Sequence, residues 1–321
     1  MAKLELTVSD GEDGVRLDKA VVALAKGASR ARVKKAIEAG SVRVNGRIVP
    51  KGGVVKTGDI ITIDEAVARP SDAPCEAEPD APLCIRFESS EVLVVDKPAH
   101  QPTAPLREGE VGTLASALLG HFPELRGVGY SAREPGIVHR LDTGTSGLVI
   151  VARNAGAFEK LRHALKNGQI HKEYLLLCRS ADLPDNGSIE YPIANHPKDK
   201  RRVYPCVHPR DVIRYAPRPA ITRYCIQARV GNWALVRAEA PQAIRHQLRA
   251  HFAAIEHPLA GDVLYGGEEV AGLDRHALHA GRVAFDGSGD HELVEMLRFD
   301  VSSPLPDDMS RHVQIDSLSS A

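Results

Sequence analysis

Three short stretches hold side chains able to do acid–base or nucleophilic chemistry. Asp142 stands in Val138-His139-Arg140-Leu141-Asp142-Thr143-Gly144-Thr145-Ser146-Gly147, with a guanidinium two residues and an imidazole three residues before it. Tyr174 follows in Ile170-His171-Lys172-Glu173-Tyr174, and His246 and Arg249 share Arg245-His246-Gln247-Leu248-Arg249. A carboxylate kept ionised by an arginine can attack a substrate or take its proton, and a phenol can handle a proton. No glycine loop for a nucleotide and no metal-ligand spacing accompany these groups, so neither redox nor phosphate-transfer chemistry is indicated and no cofactor or metal is expected.

Each group needs an element to hold it. Leu148 to Ala152 is a continuous apolar run rich in β-branched residues, which reads as a buried strand, and the Asp142 loop enters it through Gly144 and Gly147. Ile170–Leu177 reads as a second strand. Pro241 to His251 reads as a helix on which His246 and Arg249, three apart, share a face. Further strands are expected at Leu83–Phe87, Val92–Val95, Thr222–Val230 and Trp233–Ala240. Helices are expected over Thr113–Phe122 and after Asn154, which can cap a helix burying Phe158, Leu161 and Leu165. Lys198 to Arg218 is basic and contains prolines, which fits an RNA-contacting insertion or a solvated loop.

The His-Arg-Leu-Asp-x-x-Thr-Ser-Gly-Leu pattern around Asp142 resembles the central motif of the RluA-type pseudouridine synthases. Lys172-x-Tyr174, the His246-Gln247-Leu248-Arg249 segment, Gly261-Asp262, Tyr265-Gly266 and Leu278-His279-Ala280 fall where that family has matching motifs. The resemblance implies a mixed α/β body on a mostly antiparallel sheet, of α+β type. It implies Asp142, Tyr174 and Arg249 as catalytic residues and His139, Arg140, Thr145 and His246 as substrate-binding ones, with Arg140 filling the stack that a flipped uridine leaves. Two positions depart from the family: His100 replaces a glycine, so a loop of different course is expected, and Ala243-Ile244 replaces Gly-Arg, restricting the turn and removing a charge.

The amino-terminal stretch supplies a second resemblance. From Lys26 to Lys56 there are nine basic residues against one acid, although the whole chain of 321 residues carries a formal charge of only −1. Helices from Arg16 and from Ser29, a hairpin with an Asn45-Gly46 turn and a Gly58-Asp59 turn resemble an S4 domain. That resemblance implies RNA binding through Arg30, Arg32, Lys34, Lys35, Arg43 and Arg47. A basic face of this kind holds phosphates without reading bases. Domains are therefore expected at 1–64 (S4-like) and 83–321 (synthase-like), joined by an acidic linker at 65–82 with four prolines.

The expected activity is isomerisation of uridine to pseudouridine in structured RNA, with large-subunit ribosomal RNA as the first candidate and transfer RNA as the alternative. A binding protein of the same fold with an impaired active site is the second reading, motivated by His100 and Ala243-Ile244. Asp142-Thr143-Gly144 also resembles an aspartic-protease signature, but that chemistry needs a second carboxylate. Phe285-Asp286-Gly287 lacks the hydroxyl residue such a motif requires. Five scattered cysteines, no span-length apolar run and no signal-like start fit a reduced compartment, the cytoplasm. No membrane partner is expected, and a monomer is the default.

Overall fold

Backbone pairing divides the chain into two units, Met1–Pro74 and Cys75–Ala321. The computed structural model describes residues 3–25, 28, 30–50, 52–68, 74–107, 109–287 and 297–313, the side chain of residue 31 aside. Lys26, Gly27, Ser29 and Lys51, named above, lie outside the described residues.

In the first unit, strands β1 (Lys3–Thr7), β2 (Arg43–Val44), β3 (Arg47–Ile48) and β4 (Ile60–Asp64) form an antiparallel sheet in the order β1-β4-β2-β3. Helices α1 (Leu17–Leu24), α2 (Arg30–Glu38) and α3 (Glu65–Ala68) accompany it. Leu17, Val21, Val33, Ile37, Ile61 and Ile63 build the core. The hairpin turns at Asn45 and Gly46 with φ of 49° and 77°, the left-handed pair that a two-residue turn demands. Asn45 then ties this turn to its neighbour, accepting from the Ile60 amide at 2.8 Å and donating to Asp59 at 2.8 Å.

The second unit is organised by a nine-stranded sheet. Its strands are β5 (Ile85–Glu88), β6 (Val92–Lys97), β7 (Ser146–Ala152), β8 (His171–Arg179), β9 (Asn186–Ile189), β12 (Thr222–Val230), β13 (Trp233–Glu239), β14 (Leu278–Phe285) and β15 (Phe299–Ser302). β10 (Ile193–Asn195) and β11 (Val203–Pro205) pair separately. The sheet order is β5-β6-β7-β14-β8-β13-β12-β9, with β15 on β14, and every pairing is antiparallel except β7 with β14. The sheet is thus mixed and mostly antiparallel, as expected.

β7 is buried along its whole length, which explains its unbroken apolar sequence. Its alternate residues serve two cores. Val149 and Val151 pack with Leu118 of α4 (Leu114–His121) and Phe252 of α7 (Gln247–Ala254). Leu148 and Ile150 pack with Phe158 and Leu161 of α5 (Ala155–Lys166). Each such side chain, fully buried, contributes roughly 1.5–3 kcal/mol. Thr113 and Asn154 cap α4 and α5, accepting from the amides of Ser116 and Ala157. Two short helices complete the unit, α6 (Pro209–Tyr215) and α8 (Asp307–Ser310).

The stretch drawn above as one linker behaves otherwise where it is described. Glu65–Ala68 forms α3 at the end of β4, burying Ala68 in the first core. Cys75 is buried in the second core, and Glu78 backs onto α4, where a Cβ on Gly120 would meet its carbonyl carbon at 2.3 Å. Apolar contacts at both ends outweigh the extended bias of the prolines. The basic segment from Lys198 to Arg218 likewise contains ordered structure, β11 and α6.

Candidate active site

The loop that carries Asp142 is held from four sides. The Thr103 hydroxyl donates to the Leu141 carbonyl at 2.7 Å and accepts from the Leu141 amide at 3.2 Å. Lys97, fully buried, donates from Nζ to the carbonyls of Pro98 and Gln101 at 2.8 Å and to that of Thr143 at 3.4 Å. Arg275 donates to the Gly144 carbonyl at 3.2 Å and is itself clasped by Asp308 at 2.6 and 3.0 Å. The fourth contact is His276 Nε2, 2.8 Å from the Thr145 hydroxyl.

Two glycines make this approach possible. A Cβ on Gly144 would sit 2.8 Å from the His276 ring. Gly147 has φ 112°, and a Cβ there would be 2.3 Å from the Ala280 carbonyl, at the point where β7 pairs in parallel with β14.

So restrained, the Asp142 carboxylate faces a cleft of about 1200 Å³ and retains 24% of its side-chain exposure. Arg249 donates to it from Nη1 at 3.0 Å. The other edge of the same guanidinium is fixed by Asp262, with bonds of 2.7 and 2.8 Å, and Asp262 is 1% exposed. Such a bidentate clamp sets the plane of the arginine and leaves one nitrogen for Asp142. Tyr265 lies under the guanidinium at 5.2 Å from ring centroid to Cζ.

His246 completes this side, its Nε2 being 3.5 Å from Asp142. The Tyr265 hydroxyl accepts from the Val203 amide at 2.8 Å and lies 3.0 Å from His246 Nδ1. When the Tyr265 hydroxyl donates to Nδ1, the proton of a neutral imidazole stands on Nε2, toward Asp142. Burial lowers the pKa of His246, and the Asp142 charge opposes that shift. On β8, Tyr174 is 6% exposed and lines the same cleft. Burial raises its phenol pKa, and the nearby charge of Asp142 raises it further. Asp142, Tyr174, His246 and Arg249 are therefore gathered at one cleft from three parts of the chain.

The model of the RNA pseudouridylate synthase family matches residues 91–254, and that of the S4 domain matches residues 15–61. An uncharacterized RNA pseudouridine synthase, YlyB, of Bacillus subtilis strain 168 is 32% identical over 98% of this chain and 98% of its own length. The chain belongs to the RNA pseudouridylate synthase family. Ribosomal large subunit pseudouridine synthase D of Haemophilus ducreyi is 34% identical, covering 92% of this chain and 89% of that protein. The same-named protein of Vibrio parahaemolyticus is 32% identical over 94% and 91%. Human RNA pseudouridylate synthase domain containing 1 shares the fold, with a TM-score of 0.54 at 24% identity, over 74% of this chain and 92% of that one. The protein is accordingly an RNA pseudouridine synthase with an S4 domain at its amino-terminal end.

Other residues singled out from the synthase motifs lie around this centre. Arg140 is 58% exposed, lines the cleft and pairs with Glu134 at 2.8 Å, while Arg249 is the cation on Asp142. His139 lines the cleft and accepts the Ile150 amide on Nε2 at 3.2 Å. Thr145 is buried, and its hydroxyl faces His276 behind the loop, where it braces the turn. His246 is no helix-mate of Arg249: α7 begins at Gln247, and His246 caps it with a left-handed φ of 56°.

The two departures from the family pattern leave the constellation assembled. His100 takes φ 65°, the conformation a glycine would favour, and its Nε2 lies 3.0 Å from Asp274. Ala243 and Ile244 have no left-handed φ, and Ile244 packs beside Tyr265 and Ala250. Arg245 lines the cleft and donates to the carbonyls of Lys200 and Arg202, each at 3.0 Å. In the S4 unit, Arg30, Lys34, Lys35, Arg43 and Arg47 are exposed, and Arg32 donates to the Ala66 carbonyl at 3.1 Å. Sequence reasoning missed Arg275, His276 and Asp308. No local pattern marks them, because Arg275 and His276 meet the Asp142 loop 131 residues away and Asp308 clasps Arg275 across 33 residues.

Proposed function

We propose that this synthase acts on large-subunit ribosomal RNA, with Asp142 as the catalytic carboxylate, Arg249 as its positioning cation and Tyr174 packing on the flipped uracil. The reaction breaks the C1′–N1 bond of uridine, turns the base and joins C1′ to C5; the C5 proton is released to solvent and N1 takes one up, so that composition is unchanged. A carboxylate fixed at a rigid point in an open cleft suits either attack on the substrate or proton removal, since preorganisation lowers the barrier of both. The observation that carries this reading is Asp142 held on a guanidinium whose other edge is locked by the buried Asp262.

Around that centre, exposed Arg140 is assigned to the stack vacated by the base, with His139 and His246 contacting the substrate. Arg30, Arg32, Lys34, Lys35, Arg43 and Arg47 hold phosphates of the same RNA. Ribosomal RNA is favoured over transfer RNA by the names of the relatives from Haemophilus and Vibrio. A monomer is the default assignment, and a ribosomal substrate fits the cytoplasm. Among the described residues no helix is long and apolar enough to cross a membrane.

Tritium release from RNA labelled at uridine C5 tests the chemistry: the wild type releases label and Asp142→Asn does not. A map of pseudouridines in a strain lacking the gene tests the substrate. Loss of a large-subunit site is expected. Loss confined to transfer RNA overturns the ribosomal assignment, and release of label by Asp142→Asn overturns the role of the carboxylate.

A further inference from the structure

The roles assigned so far leave a buried cation of the cleft without a partner. Lys172 lies two residues before Tyr174 on β8, so both side chains leave the same face of the strand, about 7 Å apart. Both line the cleft, and Lys172 is 6% exposed. Among the described residues no acceptor reaches its Nζ, and burial lowers its pKa to about 8. The adjacent Glu173 is engaged by Arg282 at 2.5 Å and Arg237 at 3.6 Å.

A second donor stands nearby. Because the Ile150 amide donates to His139 Nε2, the ring proton sits on Nδ1, and that N–H also lacks an acceptor among the described residues. Burial, helped by the charge of Lys172, drives His139 down to about 3, so the ring is neutral at physiological pH. The carboxylates of the cleft are occupied elsewhere. Asp142 and Asp262 serve Arg249, Asp274 lies against His100, and Glu110 accepts from the amides of Leu106 and Arg107. An ammonium buried without a counter-charge is costly, and an anion from outside relieves the cost.

We propose that Lys172 Nζ and His139 Nδ1 form an oxyanion subsite for one phosphodiester of the RNA strand, beside the uridine that reacts. This rests on the reading of the cleft as the place where RNA is bound and isomerised. Lys172 then acts as a positioning residue, fixing the backbone next to Tyr174.

The test uses the full-length protein, Lys172→Met and Lys172→Arg, with unmodified large-subunit ribosomal RNA transcript as the probe. Lys172→Met is expected to bind about tenfold more weakly, the loss of one charge-assisted contact. Its plot of log affinity against log salt should be shallower by about 0.7–0.9. The free variant should melt about 2–4 °C higher, because methionine fills the volume without an unpaired charge. Lys172→Arg should keep the wild-type slope. A merely structural lysine predicts the reverse: a lower melting temperature with an unchanged slope, and that result overturns the subsite. Inorganic phosphate is the second probe, and stabilisation by it that is lost in Lys172→Met, with RNA affinity unchanged, would assign the site to a free anion instead. Tritium release by the wild type is followed in parallel. Its absence defeats the RNA-substrate reading, whereas Lys172→Met with wild-type affinity and slope, beside a wild type that releases label, defeats the subsite alone.

Discussion

Arg249 joins two carboxylates that do different work, and changing them one at a time should separate structure from chemistry. Asp262→Asn keeps the shape of the side chain but removes the charge that faces the guanidinium from 2.7 and 2.8 Å. Asp262 is 1% and Arg249 7% exposed, so water cannot replace the lost partner. Removing one member of a buried pair typically costs about 3–5 kcal/mol. For a unit of this size, that lowers the melting temperature by roughly 6–20 °C. The freed guanidinium no longer has a fixed plane, so Asp142 also loses its reference point, and a misplacement of this order costs about 100-fold in rate. Asp142→Asn should behave oppositely. Its carboxylate is 24% exposed and accepts one bond from Arg249, so stability should fall by only about 1 kcal/mol while activity disappears. Thermal melts followed by circular dichroism, alongside tritium release, give both numbers for both variants. An Asp262→Asn protein that melts within a degree of wild type and keeps its rate would refute the clamp.

Three further outcomes follow from the same geometry. Arg140→Ala should leave stability within about 1 kcal/mol, since the guanidinium is 58% exposed where it meets Glu134, yet slow turnover on folded RNA more than on a single-stranded oligonucleotide; equal effects on both would count against base replacement by Arg140. Gly147→Ala should destabilise by about 3 kcal/mol or more, seen in urea unfolding, because a Cβ would meet the Ala280 carbonyl at a φ of 112°; near-wild-type unfolding would contradict the strand contact. Burial lowers His139 to about 3 and His276 to about 2, whereas in the unfolded chain both take up protons near ~6.5. The unfolded state therefore binds more protons below that value, and stability falls as pH drops from about 6.5 toward 3. Melts between pH 7 and 4 should record the fall, with a smaller slope for His276→Gln and no change in slope as the refuting result.

Local signals in the sequence located most elements. Asn154 caps α5, the Asn45-Gly46 pair turns the first hairpin, and the apolar run of β7 marks a strand buried on both faces. The three residues gathered with Asp142 were also legible, because each sits in a motif. What could not be read was pairing across distance. The parallel contact of β7 with β14 spans two residue pairs and leaves no periodic trace. The start of α7 was placed too early, because helical spacing from Pro241 onward hides the left-handed turn at His246, which Gln247 secures by accepting the Ile244 amide at 2.9 Å. Nor does the sequence show the partner of Arg140, whose guanidinium meets Glu134 six residues earlier.

The bracing of the Asp142 loop by Arg275, His276 and Asp308 has a consequence for biosynthesis. A ribosome adding about 5–20 residues per second makes Arg275 roughly 7–27 s after Asp142. Throughout that interval the nascent chain holds the Asp142 carboxylate without the residues that brace its loop, although the S4 unit has already been made. Translation thus yields an RNA-binding segment first and a working catalyst only near the end, and a transcript cut short before Asp308 encodes a binder without a finished active centre.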